Sequence, residues 1–325
     1  MKRSLTGIKS TSGLPHLGNY LGAIRPALEL QKTHQAFYFI ADYHALISVR
    51  DGEKLRADTL QMATAFLAFG FDPSKGALFL QSDIPEIPEL SWILSCLASF
   101  GDLTRAHAFK AAKDEGREGE MNLGVFSYPV LMTADILAFD ADVIPVGADQ
   151  LQHIEMARQL AQRFNHYYGE VFKKPDGLVQ PESATVPGVD AVRKMSKSYG
   201  NFIEPFASDK VLKSQVMSIV TDSLGLEDKK DPDSSAIVKL YRLLASPSEI
   251  QEIETKFKAG GYGYGHAKLA LLDKFHDFFG PARKRFEELS KNQDEVKEIL
   301  KQGADKARAE ASIVVSRVRK ACGYA

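Results

Sequence analysis

Short β-rich runs separated by long amphipathic stretches are the feature that most limits how this chain can fold. The runs cover residues 4–8, 36–41, 77–81 and 143–146. Between them, residues 22–32 and 54–69 repeat apolar side chains at three- and four-residue steps, which is typical of helices. Strands that alternate with helices predict an α/β fold in which a doubly wound parallel sheet is covered on both faces.

The strand pattern fades after residue 208. The helical periodicity then covers residues 211–219, 236–244, 248–257, 267–279 and 281–322. Pro281 predicts the start of the last of these segments, because proline is tolerated in a first helical turn. Since 325 residues are many for one hydrophobic core, we predict two domains, 1–206 and an all-helical 207–325, with a helical insertion at about 85–125 in the first.

Composition limits the class of the protein. Apolar residues make up 44% of the chain and charged residues 26%, which is typical of an ordered globular protein. The sequence has no run of the roughly 18 apolar residues that a membrane-spanning helix needs, and Gly7 interrupts any secretory signal. Cys96 and Cys322 are too few for a disulfide framework. We therefore expect a cytoplasmic protein with no membrane partner.

The charge balance neither indicates nor excludes binding to nucleic acid. The net charge is −1, but the segment from Lys268 to the end is modestly basic. Such a segment permits contact with nucleic acid, and a solvated helical face explains the same charges equally well.

Polar residues follow the predicted strands, where ligands of parallel sheets bind. Residues 7–19 follow the first strand, His44 follows the second, and Gly147, Asp149 and Gln150 follow the last. The sequence therefore predicts a binding site at the carboxyl edge of the sheet.

The segment 12–20, Ser-Gly-Leu-Pro-His-Leu-Gly-Asn-Tyr, joins the first strand to a helix. Its small residues allow a phosphate to approach the backbone, His16 and Asn19 add donors, and the helix N-terminus attracts anions. A glycine-rich turn at this place is often purely structural, so the segment alone does not establish a phosphate site.

A second motif, Lys-Met-Ser-Lys-Ser at 194–198, has two lysines that could hold a polyphosphate or simply lie in a solvated loop. As a five-residue string, however, it has a low false-positive risk. The sequence has no P-loop pattern, so a kinase-like alternative loses its main support.

A third motif is a predicted helix in which Ser127 would be the cap and Pro129 would lie in the first turn. Met132, Asp135 and Phe139 then share one face. A carboxylate on an apolar face is costly unless a donor meets it. Asp135 is therefore either a ligand-binding group or a structural group with a backbone or arginine partner.

Residues 16–19, His-Leu-Gly-Asn, resemble the HIGH element of class I aminoacyl-tRNA synthetases, and 194–198 match their KMSKS element letter for letter. The third motif resembles the amino-acid pocket of the bacterial tryptophanyl-tRNA synthetases within that class. Residues 79–86, 220–223 and 261–263 extend the similarity over nearly the whole chain.

This resemblance implies a Rossmann-like catalytic domain followed by a helical anticodon-binding domain. It implies ATP, with Mg²⁺ bound to it, L-tryptophan and tRNA(Trp) as ligands, and a homodimer. The iron–sulfur cluster of certain relatives is not expected, because Cys322 is the only cysteine in the C-terminal region.

The resemblance also implies roles for individual residues. The expected catalytic residues are His16, Asn19, Lys194 and Lys197. The expected ATP contacts are Lys9, Ser10, Thr11, Gly18, Asn19, Gly147, Asp149, Val186, Lys194, Met195, Ser196, Lys197 and Ser198. The expected tryptophan contacts are Asp135, Tyr128, Met132, Ile136, His44, Gln150, Ile144 and Val146, with Asp135 accepting the indole N–H. No residue is assigned to a metal.

The sequence departs from the family pattern at residues 9–13, Lys-Ser-Thr-Ser-Gly, which are one residue longer than the Gln-Pro-Ser-Gly turn of many bacterial members. The backbone contacts to ATP therefore stay open. Some relatives have a phosphate-binding lysine, and either Lys110 or Lys113 could correspond to it. His44 also fits a purely structural histidine.

Two groups of residues, one for anticodon binding and one for a dimer interface, each have two interpretations. The candidates for reading the anticodon, which also fit a solvated face, are Arg283, Lys284, Arg285, Arg308 and Arg319. The candidates for a dimer interface, which also fit ordinary core, are Trp92, Ile93 and Leu97.

Three other functions fit parts of the sequence less well. A tyrosyl-tRNA synthetase would need polar partners for a phenol, whereas Asp135 between Met132 and Ile136 suits an indole. A non-catalytic sensor would not need the intact 194–198 motif. A nucleotidyltransferase acting on a small acid would not need the helical C-terminal third.

Overall fold

The computed structural model describes residues 1–10, 13–116, 119, 121–147, 150–179 and 186–324. Within these residues, one sheet has five parallel strands in the order β3-β2-β1-β4-β5. The strands are β1 (Arg3–Ile8), β2 (Gln35–Ile40), β3 (Gly76–Leu80), β4 (Val143–Val146) and β5 (Asp176–Val179). The predicted parallel sheet is confirmed, and β5 is an edge strand that the sequence pattern did not indicate.

The central strands are apolar on both sides because both faces of the sheet are covered. Phe37 and Phe39 join a core on one face, and Ala36, Tyr38 and Ile40 join a core on the other. All five are buried. This is the doubly wound arrangement that the sequence predicts.

The helices fill the connections and the whole C-terminal part. They are α1 (Leu17–Asn19), a π-helical turn (Tyr20–Ile24), α2 (Arg25–Gln31), α3 (Asp42–Ala45), α4 (Gly52–Ala68), α5 (Glu86–Ser95), α6 (Phe100–Thr104), α7 (His107–Asp114), α8 (Leu123–Leu137), α9 (Leu151–Tyr168), α10 (Asp209–Met217), α11 (Ala236–Arg242), α12 (Pro247–Ala259), α13 (Tyr264–Lys291) and α14 (Gln293–Ala321). Among the described residues, no helix is long and apolar enough to cross a membrane.

Two predicted helix starts are wrong. Pro129 lies inside α8, which begins at Leu123, and the hydroxyl of Ser127 donates to the Leu123 carbonyl instead of capping the helix. Pro281 lies inside α13. A proline in a helix interior costs about 3 kcal/mol, so it usually ends a helix. In α13 buried side chains lie on both sides of Pro281, and this packing keeps the helix continuous. In α8 the buried side chains begin at Pro129, and Phe126, one turn earlier, packs against the same core.

The last helix, α14, packs against the sheet and so shares a core with the first half of the chain. Ala307, Ala311 and Val315 of α14 belong to the same buried cluster as Phe37 and Phe79. The predicted second domain thus contributes its last helix to the core of the first, and the boundary near residue 206 stays a prediction.

Ion pairs reinforce this packing. The Arg317 guanidinium donates to both carboxylate oxygens of Asp140, at 2.8 and 2.7 Å. Arg319 forms a bidentate ion pair with Glu89 of α5. A bidentate pair between arginine and a carboxylate is among the stronger polar contacts in proteins, so these pairs fix α14 to its neighbours.

Gly303 is the point of closest approach between α14 and β3. A Cβ atom at this position would lie 1.9 Å from the Leu78 carbonyl oxygen. We expect Gly303→Ala to lower the free energy of unfolding by about 2 kcal/mol, because overpacking against backbone outweighs the better helix propensity of alanine. Urea denaturation would measure this. The matched control is Gly265→Ala in α13, where an added Cβ atom would meet no neighbouring atom within 4 Å. This substitution should be neutral or slightly stabilising. Equal midpoints for both variants would contradict the close packing.

A third core lies in the C-terminal helices and includes Met195 of the lysine motif at 194–198. Leu17, Val186, Met195 and Ile203 are buried in one cluster with side chains of α10, α11, α12 and α13. The helical part therefore holds the segment 186–203 against the start of α1.

Candidate active site

A cavity of about 400 Å³ opens at the carboxyl edge of the sheet, where the strand-end rule predicts it. All eight side chains expected to contact tryptophan line it, and they are Asp135, Tyr128, Met132, Ile136, His44, Gln150, Ile144 and Val146. Lys9 and Gly147, expected at ATP, line the same cavity. The structure therefore brings together residues from five separate parts of the chain.

Asp135 is the most buried acid of this cavity, at 1% exposure. Its Oδ2 lies 2.9 Å from His44 Nε2, and the Gln81 amide donates to its Oδ1 and Oδ2 at 2.8 and 2.9 Å. Burial raises the pKa of the Asp135 carboxyl, and the contacts with His44 and Gln81 oppose that rise. The partner that the apolar helix face requires is thus His44 and Gln81, not an arginine.

Gln81 is a site residue that the sequence reasoning missed. It directly follows β3, so the strand-end rule that selected His44 and Gly147 could also have selected it.

A second hydrogen-bonded pair forms another wall of the cavity. The Tyr128 hydroxyl lies 2.9 Å from His153 Nε2, and Lys9 Nζ lies 5.9 Å from the centre of the Tyr128 ring. Burial lowers the pKa of Lys9 and raises the pKa of Tyr128. The cavity thus has a polar rim beside the apolar slot that contains Met132 and Ile144.

His16 and Asn19 hold each other at the start of α1. The Asn19 backbone N–H donates to His16 Nδ1 at 3.3 Å, and the His16 backbone N–H donates to Asn19 Oδ1 at 3.1 Å. This is a reciprocal capping arrangement. A Cβ at Gly18 would meet the His16 ring at 2.9 Å, so glycine is needed there.

The His16 ring is neutral at physiological pH. Burial, together with the positive charges of Lys197 and Lys194, lowers its pKa to about 4. Since Nδ1 accepts a hydrogen bond, the single ring proton lies on Nε2. His16 is therefore a donor for an anion and not a second cation beside the lysines.

The lysine motif lies next to the start of α1. The Met195 backbone N–H donates to the Val186 carbonyl and the Leu17 N–H donates to the Ile203 carbonyl, both at 2.8 Å. Lys197 Nζ lies 5.5 Å from the centre of the Phe202 ring, and the His16 ring lies 6.4 Å from it. The two motifs, 175 residues apart in the chain, thus form one surface.

Buried polar contacts shape the loop that carries the two lysines. Asn201 accepts from the Ser196 N–H at 2.8 Å and donates to the Lys194 carbonyl at 3.2 Å. Lys197 forms an ion pair with Glu204 at 2.8 Å, with both side chains about one-fifth exposed. Lys197 must leave Glu204, or share it, to reach a phosphate.

The remaining predicted residues have different environments. Ser10 is fully buried and its hydroxyl accepts from Thr59 of α4, so the structure gives it no exposed surface for the expected ATP contact. Lys194 and Ser198 are exposed. Thr11 and Asp149 lie outside the described residues. The lining of the cavity does not include Lys110 or Lys113, which are exposed on α7.

The described residues do not contain a group of three or more His, Cys, Asp or Glu side chains that could hold a metal ion. Among the described residues, the site combines an apolar slot that contains the Asp135 carboxylate with a surface of His16, Asn19 and the two lysines. Such an arrangement can bind a polyphosphate beside an aromatic substrate.

Comparisons with known proteins agree with this geometry. The family model described as tRNA synthetases class I (W and Y) matches residues 2–280. The tryptophan–tRNA ligase of Fusobacterium nucleatum is 49% identical over 322 residues, which cover 99% of this chain and 97% of that protein. The tryptophan–tRNA ligase of Rhodopirellula baltica is 48% identical, with 99% of each chain covered.

A solved structure gives the same result. The tryptophanyl-tRNA synthetase of Campylobacter jejuni, complexed with ADP and tryptophan, matches with a TM-score of 0.92 and 45% identity over 99% of both chains. The chain belongs to the family of class I tRNA synthetases (W and Y).

Proposed function

We propose that this chain is a tryptophan–tRNA ligase, which activates L-tryptophan with ATP and transfers it to tRNA(Trp). The observation that carries the proposal is Asp135, a buried acceptor that lines the cavity together with apolar side chains such as Met132 and Ile144. A site built to accept one N–H strongly rejects a ring that lacks it, because the buried acceptor is then left unpaired.

In the first step, a carboxylate oxygen of tryptophan attacks the α-phosphorus of ATP. The bond from that phosphorus to the bridging oxygen of the β-phosphate breaks, and pyrophosphate leaves. Neither bond requires a protein nucleophile, so catalysis relies on position and charge. His16 would donate its Nε2–H to a phosphate oxygen, Asn19 would fix that ring, and Lys194 and Lys197 would stabilise charge on the pyrophosphate.

Mg²⁺ would arrive bound to the ATP phosphates, where it supplies further charge neutralisation. This ion usually keeps phosphate and water ligands and takes only one or two carboxylates. Because the described residues offer no carboxylate cluster at the lysine surface, we propose no protein ligand for it.

In the second step, a hydroxyl at the 3′ end of tRNA attacks the carbonyl of tryptophanyl-adenylate, and AMP leaves. Lys284 of α13 is our candidate for anticodon contact, since unpaired bases and phosphates attract such a cation. Its neighbours Arg283 and Arg285 form ion pairs with Asp209 and Glu295, which supports a structural role for them. Arg308 and Arg319 face carboxylates of α5, which supports a structural role for them instead. The proposed setting is the cytoplasm.

A homodimer completes the proposal. Trp92, Phe100 and Leu123 are 71%, 72% and 76% exposed, on helices α5, α6 and α8 that pack together. Large apolar side chains exposed on neighbouring elements mark association surfaces. Ile93 is buried, so it belongs to the core and not to this surface.

Transfer of radiolabelled tryptophan tests the full reaction. With ATP and Mg²⁺, a tRNA(Trp) transcript is expected to be charged, whereas a tRNA(Tyr) transcript and tRNA(Trp) with an altered anticodon should accept little. Formation of adenylate without charging of any tRNA would remove the second step. Charging of tRNA(Tyr) with tyrosine would replace the proposed substrate.

A further inference from the structure

Gln81 uses both ends of its amide inside the cavity wall. It is fully buried, and its Oε1 accepts from the His44 backbone N–H at 3.4 Å while its Nε2 donates to both oxygens of Asp135. The His44 backbone N–H can only donate, so it fixes the amide with its NH₂ group toward the carboxylate. Gln81 is therefore committed to donating to Asp135.

The donors of Asp135 differ in kind. The ring nitrogen of His44 can donate or accept, whereas the Gln81 amide has no titrating proton and donates at every pH. Asp42 is a further charge near Asp135 and, like burial, raises the pKa of that carboxyl. Gln81 is thus the pH-independent contact that favours the ionised form.

The geometry also leaves room for one more donor. A carboxylate has about four acceptor positions. The amide of Gln81 and the ring of His44 occupy three of them, with two contacts at Oδ2 and one at Oδ1. The remaining position on Oδ1 is available to a ligand N–H in the cavity that Asp135 lines.

We propose that Gln81 is a positioning residue for substrate recognition, which keeps Asp135 ionised and turns its free acceptor position toward the indole N–H of tryptophan. This inference rests on the proposed function and deepens it. In this proposal the specificity of the pocket depends on Asp135 together with the Gln81 amide that donates to it, and not on Asp135 alone.

Two substitutions with opposite expected pH trends test the proposal. Gln81→Met removes the hydrogen-bond donor with a side chain of similar length, so Asp135 becomes harder to ionise. KM for tryptophan should therefore be at least about tenfold higher than in the parent near pH 6.5, and it should fall as pH rises. Gln81→Glu places two carboxyl groups together. They can share a proton at low pH but repel each other once it is lost, so KM should rise with pH.

The measurement is tryptophan-dependent exchange of pyrophosphate into ATP between pH 6 and 9, with kcat and KM determined separately. We expect kcat and KM for ATP to stay within about threefold of the parent. The surface variants Gln251→Met and Gln251→Glu are matched controls and should follow the parent profile. An analogue with sulfur in place of the indole N–H, β-(3-benzothienyl)alanine, should lose little affinity on either substitution of Gln81.

The outcomes separate the two claims. If the parent shows no exchange with tryptophan, the proposed function fails and this inference fails with it. Suppose that the parent is active and that both variants keep its pH profile, or that kcat falls while KM for tryptophan is unchanged. Either result refutes the role of Gln81 and leaves the proposed function intact. Should Gln81→Met not fold, the isosteric Gln81→Glu decides by the sign of its trend.

Discussion

Replacing Lys197 by alanine is expected to slow the formation of adenylate about 100- to 1,000-fold, with little change in the affinity for tryptophan. The ammonium group would stabilise charge that develops only as pyrophosphate leaves, and losing one such preorganised donor typically has an effect of about this size. Single-turnover kinetics with saturating ATP and tryptophan would measure it. The tryptophan slot lies apart from the lysine, so equilibrium binding of tryptophan should be unchanged.

Two control variants separate this role from a structural one. Glu204→Ala breaks the same ion pair but leaves the lysine in place, and it should keep at least the parent rate. Lys210→Ala removes an exposed cation of α10 and should be neutral. If Glu204→Ala is as slow as Lys197→Ala, the ion pair and not the charge of Lys197 is what matters.

Replacing Asp135 by alanine is expected to lower the discrimination between tryptophan and phenylalanine about 100-fold. The variant loses the acceptor of the indole N–H, and it also removes the buried charge whose remaining acceptor position phenylalanine would leave unfilled. The ratio of kcat/KM for the two amino acids in ATP–pyrophosphate exchange measures this. KM for ATP is the internal control and should be unchanged. An unaltered ratio would show that Asp135 is a structural residue.

The sheet could be predicted because its strands are buried on both faces and so are apolar throughout, as Phe37, Tyr38 and Phe39 show. The edge strand β5 could not. It has only four residues, begins with Asp176 and contains a glycine, and its Leu178 is 40% exposed. Its pairing with β4 is decided by tertiary contact and not by local pattern.

Helix boundaries at proline show the same limit. A local rule places Pro129 and Pro281 at helix starts, whereas both lie within helices. What keeps these helices continuous is packing from residues far away in the chain, such as the contact of α13 with α4. No window of sequence around either proline contains that information.

The sequence predicts several residues that line the cavity, but not the contacts between them. His44 is predicted from its strand end, and Asp135 from its place on an apolar helix face and from the family resemblance. Lys197 is predicted from the motif at 194–198. The partners of these residues depend on distances between segments that the sequence does not give. Thus the Gln81 amide that holds Asp135, and the Glu204 carboxylate that holds Lys197, appear only in the structure.

Exchange of pyrophosphate into ATP, measured with each of the twenty amino acids and with none, tests the central claim most directly. The folded protein is expected to catalyse exchange with tryptophan alone, because the indole ring fits the apolar lining and its N–H can use the acceptor position of Asp135 that His44 and Gln81 leave. Exchange with tyrosine would mean that the slot is built for a phenol. No exchange with any amino acid, by protein that still binds ATP, would contradict the account and favour a sensor or an enzyme that activates a different acid.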